Sequence, residues 1–231
     1  AELGTHLHGE YAEPGASDAV APARDWWRSF GSAELSGLID AALSASPDTA
    51  IAAEQVRQAE AQVRVAGSTL FPALDFSAAL SASYEIDLWG RNASGVRAAE
   101  SSLRASRFDQ ETARLTLVAG VASAYFQVLS LRGRLAIARE NLGVAERVFR
   151  VVDARVRYGA VSALDLARQQ AAVLAQRAAI PPLELQERQT LYALAILLGR
   201  QPEGFDAAAS TVSAVLVPRI APGIPAELLV R

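Results

Sequence analysis

The 231-residue chain has no cysteine, no methionine and only two histidines, and aromatic residues fill just 6% of its positions. Without cysteine it can form no disulfide and do no thiol chemistry. His6 and His8 have the i, i+2 spacing that could share a metal on a strand, but they sit beside Gly4 and Gly9 in an expected mobile terminus, so no metal is expected. Lysine is absent too: all 22 basic residues are arginine, a usage expected from genomic base composition, against 25 acids and a net charge of −3. The arginines alternate with acids and form no basic stripe, which argues against nucleic acid. Gly90 to Gly95 lacks the glycine pattern and lysine of a phosphate loop, so no nucleotide or other cofactor is expected. No apolar run near 18 residues is expected to span a bilayer as a helix, so the chain as written should be soluble. Ala1 is not an initiator, and no charged-then-apolar leader precedes it; a mature, trimmed chain with segments missing is the expectation.

Proline is missing where it would matter most. From Arg91 to Tyr158 about 67 residues run without one, which allows a helix of roughly 100 Å at about 1.5 Å per residue. A compact domain of this length has a radius of gyration of roughly 17 Å, so such a rod must project beyond any core. Val121, Tyr125, Val128, Leu131, Leu135, Ala138, Leu142, Ala145, Phe149, Val152 and Val156 step mostly by alternating fours and threes, the pattern of a coiled-coil seam. Mixed charges such as Glu146 and Arg150 fill the other faces and read as a solvated surface. Gly95, Gly120, Gly133 and Gly143 weaken the helix by up to about 1 kcal/mol each relative to alanine, and close helix–helix approach is the expected reason.

Tyr158-Gly159 ends the rod, because glycine accepts the positive φ of a helix C-terminus. Ser162-Ala163-Leu164-Asp165 has the form of a capping box and starts a return helix. Leu164, Ala167, Ala171, Leu174 and Ala178 are expected to be its seam, which makes an antiparallel helical hairpin with a tight tip. The return helix should run from 162 to 198, stop at Gly199, and kink or break at Pro181-Pro182. Ser46-Pro47-Asp48 opens an earlier helix over 47–66 with its own seam at Ala52, Val56, Ala59, Val63 and Ala66, after a short helix over 33–45.

Between these helices, residues 70–89 read as short strand. Tyr84, Ile86 and Leu88 would share one face and Glu85 and Asp87 the other, before Trp89-Gly90-Arg91 opens the long helix. The two carboxylates read as polar positions at a strand-to-helix junction, because no nucleophile or histidine accompanies them. No enzymatic site is expected. The fold class is mainly all-α, with a residual β segment. Residues 1–32 are expected as an extended N-terminal segment in which Trp26-Trp27 packs on the outside of the helices. Residues 33–199 form the helical repeat and residues 200–231 an extended linker.

Tyr84-Glu85-Ile86-Asp87-Leu88-Trp89-Gly90-Arg91 resembles the signature of TolC-like outer-membrane efflux proteins, in particular the NodT-type lipoprotein branch. Leu70-Phe71-Pro72, Ala124-Tyr125-Phe126, Arg157-Tyr158-Gly159-Ala160-Val161-Ser162 and Leu197-Leu198-Gly199-Arg200 look like that family in the right order. The resemblance covers roughly residues 25 to 231. It departs at two points. Residues 73 to 83 leave no room for the family's two membrane strands of about 9–11 residues each, and only the first of its two repeats is present. The branch's lipid-bearing cysteine is also missing.

The resemblance implies an antiparallel coiled-coil hairpin of a TolC-like α-barrel, in an outer-membrane channel component of a tripartite efflux pump. The parent would be a homotrimer on the periplasmic side of the outer membrane, a passive conduit for drugs or other small molecules. Its expected partners are a periplasmic adaptor and an inner-membrane pump of the RND type. Tyr158, Gly159, Ala160, Val161 and Ser162 match the adaptor-binding tip. Asp165 matches an aspartate of the periplasmic gate, and Tyr84, Glu85, Asp87, Trp89 and Gly90 match the barrel-to-helix junction. The alternative is a periplasmic adaptor or other coiled-coil scaffold that docks a partner through its hairpin.

Overall fold

The computed structural model describes residues 25–71, 73–76, 80–83, 87, 89–209, 211 and 215–218. His6, His8, Tyr84, Glu85, Ile86 and Leu88 lie outside them. A 3-10 turn at Trp26–Phe30 leads to α1 (Ala33–Ala45) and α2 (Pro47–Ser68), then β1 (Ala73–Phe76) and β2 (Leu80–Ser83). The 67-residue α3 (Arg91–Arg157) follows, then α4 (Ala163–Ala178) and α5 (Ile180–Leu197). The return helix is therefore two helices. Ala179 separates them, and Pro181-Pro182 falls in the first turn of α5, where a missing N–H costs nothing.

The chain divides into two compact units, and α1, α3 and α5 each contribute to both. One unit comprises residues 38–125 and 188–206. Its buried side chains include Ile39, Ala42, Leu117, Val118, Val121, Tyr125, Leu191, Leu194 and Leu198. Ala52 of α2 is buried and Val56, Ala59, Val63 and Ala66 are half-buried, so the expected seam faces inward. Arg107 of α3 meets Glu60 of α2 at 3.0 Å. Ser46 stands at the N-cap of α2 with proline at N1, but it is buried and its side chain does not cap.

In the same unit β1 and β2 pair antiparallel, Ala73 opposite Ser83 and Phe76 opposite Leu80. Each strand has only four residues, short of the roughly 9–11 that cross a membrane, so this is the short β segment expected here and not a pair of membrane strands. The close-approach reading of the helix glycines fails at Gly95 and Gly133, where an added Cβ would meet nothing within 4 Å. At Gly120 it would touch Leu197 at 3.7 Å, an ordinary contact.

The other unit comprises residues 1–37, 126–187 and 207–231. The expected α3 seam is buried at Val128, Leu131 and Leu135 and half-buried at Ala138, Leu142, Ala145, Phe149, Val152 and Val156. Three ion pairs cross the hairpin: Arg132–Glu187 at 2.8 Å, Arg139–Glu184 at 2.8 Å and Arg177–Glu146 at 2.9 Å. One partner's number falls as the other's rises, so the helices are antiparallel, and the α3 positions recur every seven residues as a coiled coil requires.

The expected α4 seam is wrong. Leu164, Ala167, Ala171, Leu174 and Ala178 are exposed, while Leu166 and Gln169 are half-buried and Val173 is buried. Both sets step by threes and fours, so periodicity alone could not choose between them.

The N-terminal segment is not wholly extended, since Trp26–Phe30 winds into its 3-10 turn. Trp27 is buried, and Trp26, Phe30 and Phe126 form a ring cluster with centroids 5.0–5.9 Å apart. The segment after α5 is held rather than free. Arg132 donates to the carbonyls of Ala207 and Ala209, both at 2.6 Å, and the Glu34 carboxylate accepts from the N–H groups of Ala208 and Ala209. Further on, the Leu216 N–H donates to the Phe30 carbonyl at 3.0 Å.

One window of α3 does reach a mean hydropathy of 1.3 over a length that could cross a bilayer, contrary to expectation. No charge falls between Arg114 and Arg132. The stretch carries Leu117, Val118, Val121, Ala122, Tyr125, Val128, Leu129 and Leu131, all buried, which accounts for its apolarity as helix-packing core.

Candidate functional site

The two ends of α3 hold the residues that the sequence singled out. At the start of the helix, Gly90 takes a positive φ of 72° and its carbonyl accepts from the Ser94 N–H at 2.8 Å. The Asp87 carboxylate reaches past it and accepts from the Ala93 N–H at 2.8 Å. That bond does most to hold the Asp87 carboxyl below the ordinary aspartate range, with the N–H groups of Asn92, Arg91 and Gly90 helping and desolvation opposing. Asp87 is thus a cap on the orphan donors and positive end of a 67-residue helix. Trp89 beside it is 90% exposed.

The far end is a complete stop-and-turn. Gly159 has φ +71°, its N–H donates to the Val156 carbonyl at 2.9 Å, and the Ala160 N–H donates to Arg155 at 2.8 Å. This is the Schellman pattern. The same pair of bonds closes α5 at Gly199, from Gly199 to Ile196 and from Arg200 to Ala195. Ser162 then caps α4: its Oγ accepts from the Asp165 N–H at 3.2 Å, and Asp165 accepts from the Ser162 N–H at 3.2 Å and the Ser162 hydroxyl at 2.7 Å. The Ser162 side chain, then its backbone N–H, lower the Asp165 pKa against desolvation, with the Arg168 charge adding to the effect. The capping-box reading of Asp165 holds. Tyr158 is 89% exposed, and Gly159, Ala160 and Ser162 are exposed beside half-buried Val161.

A further pattern went unread in the sequence. Ile137, Asn141, Val144, Val148, Val151, Arg155 and Tyr158 step strictly by four and three along α3, and all are exposed. They form a second seam, about 100° around the helix from the buried one at 3.5 residues per turn. Its middle is apolar apart from Asn141, and a single asparagine in such a seam is a register-setting residue in coiled coils. The misassigned stripe on α4, from Leu164 to Ala178, is its counterpart on the other helix. Each helix of the hairpin therefore carries one seam for its partner and one that faces outward.

Comparison with known proteins places the chain in a family. Residues 38–200 match the family described as "Outer membrane efflux protein". The chain is 38% identical to the pyoverdine export outer membrane protein OpmQ of Pseudomonas aeruginosa, over 96% of its own length and 53% of that protein. It is 32% identical to the outer membrane protein OprJ of the same species, over 92% of the chain and 50% of that protein. The chain thus spans about half the length of these relatives. Its fold superposes on the outer-membrane channel OprN with a TM-score of 0.80, at 23% identity, covering 95% of this chain and 56% of that one. With its caps, hairpin and motifs lying within the matched residues, the chain belongs to the outer membrane efflux protein family, a family of transport channels and not of catalysts.

Proposed function

We propose that the chain is the helical, periplasmic wall of an outer-membrane efflux channel, a passive conduit through which small molecules leave the cell. The outward seams carry this reading. A mainly apolar heptad stripe exposed on each helix of a hairpin leaves both flanks to be covered, and hairpins placed side by side cover one another's flanks. Repeated around an axis, that packing closes a tube, and a homotrimeric parent is the assembly proposed. Pyoverdine is the first cargo to test, because a 38% identical relative bears its name.

The tip residues Tyr158, Gly159, Ala160, Val161 and Ser162 would meet a periplasmic adaptor, itself coupled to an inner-membrane pump. Their exposure and the self-contained turn beneath them support this. Asp165 would serve the gate at the same end, and Asp87, Trp89 and Gly90 the junction toward the membrane.

The test places a charge on the outward seam in the intact protein. Val144→Glu with Val148→Glu changes two exposed residues, so the 231-residue chain should keep its melting temperature to within a few degrees. Export of the cargo by cells should fall to the level of a strain lacking the gene. Export at the wild-type rate would show that nothing covers the seam and would sink the proposal.

A further inference from the structure

The two seams stand at different angles on α3 and on α4, and the difference sets which way a wall of these hairpins bends. At about 3.5 residues per turn, each residue advances about 103° around a coiled-coil helix. On α3 each outward position from Asn141 to Arg155 precedes an inward one by a single residue, as Asn141 precedes Leu142 and Val148 precedes Phe149. Its seams are therefore about 103° apart on one side and about 257° on the other. On α4 the outward positions lead by two, Leu164 before Leu166 and Ala171 before Val173, which gives about 154° and about 206°.

The Glu146–Arg177 ion pair joins one side of α3 to one side of α4. Glu146 lies in the wide arc of α3 and Arg177 in the narrow arc of α4, so the arcs on that surface total about 410° and those on the opposite surface about 310°. A flat wall would have equal totals. Hairpins joined seam to seam thus curve with the ion-paired surface outside, turning about 50° each, and a rotation of that size closes a ring with about seven hairpins. That is close to what three chains twice this length would supply. Every charged residue of α3 from Arg139 to Arg157 except Arg155 falls on the convex surface. The concave surface of α4 carries Arg168, Ala172, Ala175 and Ala179, all exposed, with Asp165 one turn nearer the tip, where its proposed gate role requires it.

We propose that the cargo travels along this concave surface, over Ala172, Ala175 and Ala179 of α4 and past Val148 and Val152 at the rim of α3. The assignment rests on the conduit reading. From Ala172 to Ala179 these side chains carry no charge and no hydrogen-bonding group, over about 10 Å of helix. Sites that hold small molecules do so through a few placed polar groups, and this stretch has none. Hydrated solutes of either sign therefore pass it without being retained.

The chain has no cysteine, so single cysteines report the two surfaces without background. Ala172→Cys and Ala175→Cys mark the concave side, and Gln170→Cys and Arg150→Cys the convex side, all at exposed positions. Each variant of the purified intact protein is treated with a small maleimide and with a polyethylene-glycol maleimide too wide to enter a bore. All four should react with the small reagent, and the wide one should label the concave pair at least ten-fold more slowly than the convex pair. Denatured protein should take up the wide reagent equally at all four, which excludes an unreactive thiol. Protection of the convex pair instead, or of all four, would overturn the assignment and leave the conduit standing. Equally fast labelling of all four would show that no surface is enclosed and would remove both.

Discussion

Replacing Arg132 with alanine should destabilise the chain by about 3 kcal/mol, far more than the same change at Arg139. Both arginines make one ion pair across the same two helices at the same distance, 2.8 Å. Their surroundings differ. The Arg132 and Glu187 side chains are only 16% and 21% exposed, and the guanidinium also holds the Ala207 and Ala209 carbonyls. Truncation would leave a largely buried carboxylate without its cation and remove a charged donor from the carbonyl of Ala207, which is itself buried. Breaking a fully buried pair costs about 3–5 kcal/mol, and residual access to water places this one near the lower bound. Arg139 and Glu184 are 61% and 49% exposed, so that pair contributes about 0–1 kcal/mol. Urea unfolding of the 231-residue chain, followed by circular dichroism, reads the difference. At a slope of about 3 kcal/mol per molar, Arg132→Ala should lower the midpoint by about 1 M and Arg139→Ala by a third of that or less. Arg132→Met keeps the aliphatic stem, and its shortfall isolates the polar part of the loss. Equal midpoints for the two alanine variants would refute the reasoning.

Three other outcomes follow from the same geometry. Gly159→Val should destabilise the tip by about 1–2 kcal/mol through its positive φ alone, since an added Cβ would touch nothing within 4 Å; hydrogen exchange at Ala160 and Val161 should rise, and unchanged exchange would contradict the Schellman turn. The Asp165 carboxyl should titrate below the ordinary aspartate value of 3.8, and Ser162→Ala should raise its pKa. A pKa depressed on folding contributes stability at pH above 3.8 that is lost as pH falls through the folded value, so the tip should loosen only in strong acid, as carboxyl NMR would show. Val173→Ala should cost about 1–2 kcal/mol and the neighbouring Leu174→Ala under 0.5 kcal/mol in thermal melts of the chain, because α4 buries the first and exposes the second; the reverse order would restore the seam expected from periodicity.

The helix ends were legible because caps are local chemistry. Gly159, Gly199 and Ser162-x-x-Asp165 act within a few residues of themselves and the structure closes each with bonds over that span, while Pro47 takes the first helical position, where its missing N–H is no loss. The α3 seam was legible because one of its stripes carries most of the large apolar residues in its middle. The face of α4 was not, since apolar residues stand on two stripes with the same spacing and only a neighbour decides which is covered. Arg132 gave no signal either: the carbonyls it holds lie 75 and 77 residues away, and a carbonyl has no identity in a sequence. Asp87 could have been read more sharply. An aspartate a few residues ahead of a glycine-opened helix is a capping signal, and it explains that carboxylate without any chemistry on a substrate.

The turn at the tip binds up its own loose ends. Gly159 and Ala160 satisfy the last carbonyls of α3, and Ser162 and Asp165 satisfy the first donors of α4, without calling on the side chains of Tyr158, Ala160 or Val161. Those three positions are therefore free to drift over evolutionary time without endangering the hairpin. On the proposed reading of this tip as an adaptor-docking surface, altering them would exchange one docking partner for another while the rod that carries them stays the same.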